Sequence, residues 1–188
     1  MTTFTIHSTE TAPDSSKPLL EKAQQKYGMI PNLMGLMAES PTAIAAYQTL
    51  AGLFEKSSFT PTERNIVWLT ISYENECHYC MAAHTAIAGS EKVDGEIVEA
   101  IRAGEPIADP RLESLRAFTS SLVTNRGWVS GEEVTAFLNA GFTRENVFDV
   151  LVGISQKVLS NYSNHLAETA IDLPFQKYAW TKGSAVAG

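Results

Sequence analysis

Cysteine is scarce in this 188-residue chain: there are two, three positions apart. A bridge between Cys77 and Cys80 would close a tiny loop and remove little entropy from the unfolded chain, which argues against a disulfide scaffold. A reducing, cytoplasmic setting is the expectation. Basic charge is short as well. The 14 Lys and Arg face 21 Asp and Glu, a net charge of -7 with no basic run, and this argues against a nucleic-acid partner. No apolar run approaches the roughly 18 residues of a membrane span. The polar opening MTTFTIHSTETAPDSSKP lacks the apolar stretch of a signal peptide. No Asn-Gly or Gly-Asn turn joins two alternating segments, so the chain reads as all-helical.

What is present suits one globular domain. A hydrophobic content of 44% against 19% charged residues allows a sizeable core. Residues 1–15 read as a flexible or extended lead-in, residues 16–188 as a single helical domain, and the stretch from about residue 172 as an aromatic-bearing tail. Helical spacing of Leu19, Leu20, Ala23 and Tyr27 is stopped at Gly28. Pro31 begins a short helix through Met37, and Ser40-Pro41 opens the next. Thr60, Pro61 and Glu63 make a capping box before the apolar run Ile66–Ile71, predicting a buried helix. Further helices are expected over 77–88, 94–103, 110–125, 130–139 and 143–170. The last carries an apolar stripe of Val147, Val150, Leu151, Ile154, Val158 and Leu159. Trp68 and Trp128 are expected in the core, and Met29, Met34 and Met37 in packing.

The chemistry concentrates in ENECHYCMAAHTAIAG, Glu74 to Gly89. With Asn75 or Glu76 as cap, Cys77 falls in the first turn of a helix. There the free N–H groups and the helix dipole favour a thiolate. Cys80 lies one turn on, within reach of Cys77 for a reversible disulfide. His84 lies one turn beyond Cys80, placed to take or relay a proton. A carboxylate to orient that imidazole would come from Glu63, Glu74 or Glu76. Tyr79, Asn65 and His165 are candidates for supporting contacts, with Asn161 and Asn164 on turns beside His165. A pair of small core hydrophobes and a zinc site are the rival readings. For zinc, two cysteines and His84 supply three of the four ligands a structural site takes, and no spacing points to a fourth.

The stretch TPTERNIVWLTISYENECHYCMAAHTAIA resembles the core motif of the alkylhydroperoxidase D-like, carboxymuconolactone decarboxylase superfamily. Its branch of uncharacterised peroxidase-related proteins is similar in GMIPNLMGLMAESPTAIAAYQTL too, so the resemblance covers residues 28–88. It implies an all-α multi-helix bundle of the alkylhydroperoxidase D-like type that forms homo-oligomers: trimers, hexamers or dimers. It also implies thiol peroxidase activity with no cofactor beyond a redox-active Cys77–Cys80 disulfide and no bound metal. A hydroperoxide would be the substrate, and a dithiol protein or small thiol the reductant. Cys77, Cys80 and His84 match family positions, and Cys80, followed by His84, is the expected attacking thiol. Helix-start logic instead makes Cys77 the more acidic. The family's relay glutamate falls at Asn65, which hydrogen-bonds but takes no proton as a carboxylate does. Glu63, two residues earlier, is the nearest substitute, about 200° away around the helix. The alternatives are a carboxymuconolactone decarboxylase-like lyase and a metal-binding or interaction module.

Overall fold

The computed structural model describes residues 4–183; the outermost parts of the expected lead-in and tail, 1–3 and 184–188, lie outside the described residues. Among the described residues there are helices and no strand. They run α1 (Lys17–Tyr27), α2 (Asn32–Met37), α3 (Pro41–Phe54), α4 (Pro61–Glu74), α5 (His78–Ser90), α6 (Gly95–Ala103), α7 (Pro110–Thr124), α8 (Gly131–Asn139) and α9 (Arg144–Ala167). A 3₁₀ turn follows at Leu173–Tyr178.

Local signals set most of these boundaries. Thr60 accepts from the Glu63 N–H while the Glu63 carboxylate accepts from the Thr60 N–H, so the capping box that starts α4 is closed in both directions. Ser130 and Glu133 do the same for α8. α4 is buried on every side from Asn65 to Ser72, and it packs against α5, α6, α7 and α9. An all-round apolar helix must be surrounded to bury its surface, and this one forms the axis of the bundle. Around it the main core gathers Phe54, Ile66, Leu69, Ile71, Leu115 and Phe137.

A second core cluster joins Leu20, Leu33, Met34, Ile44 and Tyr47 to Cys77, Tyr79 and Cys80. The N-terminal helices thus form a cover over the cysteines. The segment before α1 is tied to this cover. His7 N–H donates to the Gly35 carbonyl at 3.0 Å, and its ring meets Glu39 at 2.8 Å. A Cβ at Gly35 would lie 2.8 Å from the His7 carbonyl oxygen, so the close approach requires glycine. The tail docks on the body: Trp180 is buried, lies tilted against the rings of Tyr73 and His78, and donates its indole N–H to the Arg102 carbonyl.

Two packing expectations are corrected. Trp128 is 86% exposed, because it follows a turn in which Arg126 and Gly127 both adopt positive φ and carry the chain outside the bundle between α7 and α8. On α9, Leu151 is exposed. The buried face runs instead through Asn146, Val150 and Gly153 into Gln156, Lys157, Ser160, Asn161 and Asn164. The C-terminal half of that face is polar because it lies against the cysteines.

Candidate functional site

The cap of α5 differs from the expected one. Asn75 ends α4, Glu76 takes a positive φ of 54° to turn the chain, and Cys77 itself is the N-cap residue. Its thiol makes no capping hydrogen bond to the helix N–H groups. The helix start therefore does not make Cys77 the acidic thiol. The two cysteines are unbridged, fully buried and 3.4 Å apart.

That contact separates them electrostatically. The hydrogen bond with Cys80 and then burial push the Cys77 thiol far up, so it stays protonated. Burial also opposes ionisation of Cys80. It is outweighed by the hydrogen bond with Cys77, the charge of Lys157 and the Ser160 hydroxyl, which together hold Cys80 well below the usual thiol range. Ser160 Oγ lies 3.8 Å from Cys80 Sγ. Asn164 Nδ2 reaches both sulfurs, at 3.3 Å to Cys80 and 3.9 Å to Cys77. Lys157 is 0% exposed, and its ammonium is buried without a hydrogen-bond partner. A buried cation favours an anion nearby, and the Lys157 charge is one of the influences that lower the pKa of the Cys80 thiol.

His84 lies over Trp68, ring centroids 5.0 Å apart, and Trp68 is fixed by donating to Gln156 at 2.8 Å. Burial and then the Lys157 charge hold the imidazole well below its usual pKa, so it is neutral at neutral pH. Its Nδ1 is buried with no partner. The carboxylates considered for it are engaged elsewhere. Glu63 receives Thr60 N–H on one oxygen and Arg111 on the other, at 2.5 Å. Glu74 accepts from Ser120, and Glu76 meets Lys182 at the surface. Asn65 donates to the Pro61 carbonyl and to Glu91, at 2.9 and 2.7 Å. Glu91 follows α5 two turns beyond His84, about 10 Å along its axis.

Cys80, His84 and Lys157 share the wall of a mostly apolar cavity of about 350 Å³, with Met34, Tyr47 and Phe175 among its other walls. Tyr79 stands at its edge, its hydroxyl donating to Asp172 at 2.5 Å and accepting from Leu33 N–H at 3.3 Å. His165 is exposed, stacks on Tyr162, and belongs to a different cavity that also meets Cys77. Among the described residues no group of three His, Cys, Asp or Glu side chains is arranged to hold a metal ion. No helix among them is long and apolar enough to cross a membrane.

Residues 40–121, just under half of the chain, match the family model described as the carboxymuconolactone decarboxylase family. Over that segment the chain is similar to this family. The matched segment runs from the start of α3 into α7 and contains Cys77, Cys80 and His84. No curated protein is significantly similar in sequence. Solved structures of the same fold include these three. One is the alkylhydroperoxidase AhpD core of an uncharacterised peroxidase-related protein from Ralstonia eutropha JMP134, at 22% identity, covering 92% of this chain and 93% of that one, with a TM-score of 0.81. Another is an uncharacterised peroxidase-related protein from Silicibacter sp. TM1040, at 19% identity, covering 88% of each chain, with a TM-score of 0.76. The third is the debrominase Bmp8, solved as a C82A variant with 2,3,4-tribromopyrrole, at 18% identity, covering 95% of this chain and 96% of that one, with a TM-score of 0.78. At these identities the likeness is one of fold.

Lys157, Ser160 and Asn164 lie on α9, outside the matched segment. The motif around the cysteines gave no hint of the first two. The available signal was a lysine at helical spacing with Val150 and Ile154, where an apolar residue continues the stripe.

Proposed function

We propose that the chain is a thiol-dependent peroxidase that reduces apolar organic hydroperoxides through Cys80 and Cys77. The observation that carries this reading is the pairing of an acidic Cys80 with a protonated Cys77 at 3.4 Å, with Cys80 opening onto an apolar cavity. A nucleophilic thiol needs its thiolate near neutral pH and a partner thiol within bonding reach. The lowered Cys80 thiol supports the first condition and the 3.4 Å separation the second.

In the proposed cycle the Cys80 thiolate attacks the terminal oxygen of the hydroperoxide. The O–O bond breaks, Cys80 becomes a sulfenic acid, and the alkoxide leaves. Lys157, a residue of the same cavity wall, supplies the proton that makes it an alcohol. Cys77 then attacks the Cys80 sulfur. The sulfenic oxygen leaves as water with the Cys77 proton, and the disulfide forms. A dithiol reduces it, becoming a disulfide itself and returning one proton to Cys77 and one to Lys157. Neutral His84 accepts a hydrogen bond from the hydroperoxide O–H and orients it. Cys77, Cys80 and His84 are the proposed catalytic residues, and Lys157 joins them. Glu63 serves the start of α4. The cavity's apolar wall and its size, within the range of small-molecule sites, favour an alkyl or aryl hydroperoxide over hydrogen peroxide. Homo-oligomer assembly and a reducing, cytoplasmic setting belong to the same reading. The exposed Phe148 on α9 and Leu53 on α3 support the former, which sedimentation would measure.

The test is direct. Reduced protein mixed with cumene hydroperoxide should lose two hydrogens by intact mass, and Cys80→Ser should consume no peroxide. An unchanged mass would overturn the reading. A second reading, reductive debromination by the same pair, is favoured by the tribromopyrrole named with the Bmp8 structure and by the apolar cavity here. It predicts bromide release from a bromopyrrole with formation of the same disulfide. A lyase would instead keep its activity after loss of both thiols.

A further inference from the structure

The two sulfurs open to different spaces. Cys80 belongs to the apolar cavity with His84 and Lys157. Cys77 belongs to a second cavity of about 390 Å³ at the C-terminal end of α9, together with Asn164, His165, Glu168 and Thr169. Tyr79, between the cysteines in sequence, lines both and is held in place by Asp172 and Leu33. Two lining residues of the second cavity also carry unused hydrogen-bonding capacity. Asn164 is 4% exposed, and its Oδ1 is buried without a partner, as is the Thr169 hydroxyl. Buried polar atoms left unpaired are uncommon in native structures and ask for a ligand or a role.

We propose that this second cavity is the entry site for the reductant, a dithiol, so that substrate and reductant reach the redox pair from separate cavities. The inference rests on the peroxidase reading for its place in a cycle. Asn164 Oδ1 and the Thr169 hydroxyl accept hydrogen bonds from the incoming S–H groups, and the exposed His165 imidazole takes the proton of the attacking thiol. The resulting thiolate attacks Cys77 Sγ. The Cys77–Cys80 bond breaks, and its electron pair leaves on Cys80 as a thiolate. This is the favourable direction, because the more acidic thiol is the better leaving group. The second thiol of the reductant then attacks the mixed disulfide at its own first sulfur. Cys77 is released and takes up the proton of that second thiol, the proton held by His165 passes to solvent while Lys157 regains one in exchange, and the dithiol departs as a disulfide. Two electrons pass from the dithiol to the cysteine pair.

The deciding experiment traps the mixed disulfide. The chain is oxidised to the Cys77–Cys80 disulfide, treated briefly with excess 2-mercaptoethanol, alkylated and mapped by fragmentation mass spectrometry. The expected result is the adduct on Cys77 and the alkyl group on Cys80. The reverse assignment, or equal adducts on both, overturns the proposal. A kinetic arm uses Thr169→Trp to fill the second cavity and Ile87→Trp to fill the first, with folding checked by thermal melting. Thr169→Trp should slow reduction by dithiothreitol at least about tenfold, and oxidation by cumene hydroperoxide less than twofold. Ile87→Trp should show the opposite pattern. Equal effects of both variants on reduction overturn the proposal. If the hydroperoxide forms no disulfide in the unaltered chain, it is the peroxidase reading that fails. The disulfide is then made with diamide, and the adduct still decides which cysteine is attacked.

Discussion

Lys157 carries a charge that lowers the pKa of both the Cys80 thiol and the His84 imidazole. A buried ammonium with no hydrogen-bond partner is costly unless an anion compensates it, and Cys80 is the anion in reach. Lys157→Met keeps the volume and removes the charge. The pH at which Cys80 is half-alkylated by iodoacetamide should rise, alkylation at pH 7 should slow severalfold, and the melting temperature should not fall. A second consequence concerns acid. His84 is buried neutral, with its folded pKa below the unfolded value of 6.5. The unfolded chain therefore binds the proton first. The contribution of His84 to stability is intact above about pH 6.5 and declines as pH falls below it, by at most about 1.4 kcal/mol per pH unit. His84→Gln should flatten that part of the stability profile in urea titrations.

At the scale of the element, α4 shows how one residue is committed to structure. Glu63 closes the capping box and pairs with Arg111, itself half exposed, so most of its value lies in the cap. Glu63→Gln should lower stability by about 1 kcal/mol in denaturant unfolding and leave the alkylation profile of Cys80 unchanged. A shift in that profile would return Glu63 to the relay. The start of α5 carries the opposite lesson. Residues 74–80 read as a capped helix start with Cys77 inside it, whereas the turn at Glu76 puts Cys77 at the cap, outside the reach of the dipole argument. One residue of register, below the accuracy of boundary reading, changed which thiol is acidic. On α9 the helix was legible from its apolar spacing, but which side faced the cysteines was not.

For the whole molecule, the tail and the N-terminal helices act as covers over the two cysteines. Trp180 anchors the tail by burial, by its contact with the Tyr73 ring and by its bond to Arg102. Trp180→Ala should cost about 3–5 kcal/mol in chemical denaturation. The cover from α1 to α3 gives the first cavity its apolar wall through Met34 and Tyr47, while α9 gives it the charge. The two contributions are separated by more than a hundred residues of chain and meet because α2 and α3 pack directly against α9.

The sequence by itself determined the helical class, most helix boundaries, the burial of α4 and the placing of Cys77, Cys80 and His84 on successive turns. These rest on spacing within a few residues and on caps that are local hydrogen bonds. Only the tertiary structure decided which thiol ionises, what charge faces His84, and that the cysteines open to separate cavities. Each of those depends on α9 and on the tail, whose approach to α5 is a contact between segments some 80 to 100 residues apart. Burial makes such contacts strong, and no local pattern announces them.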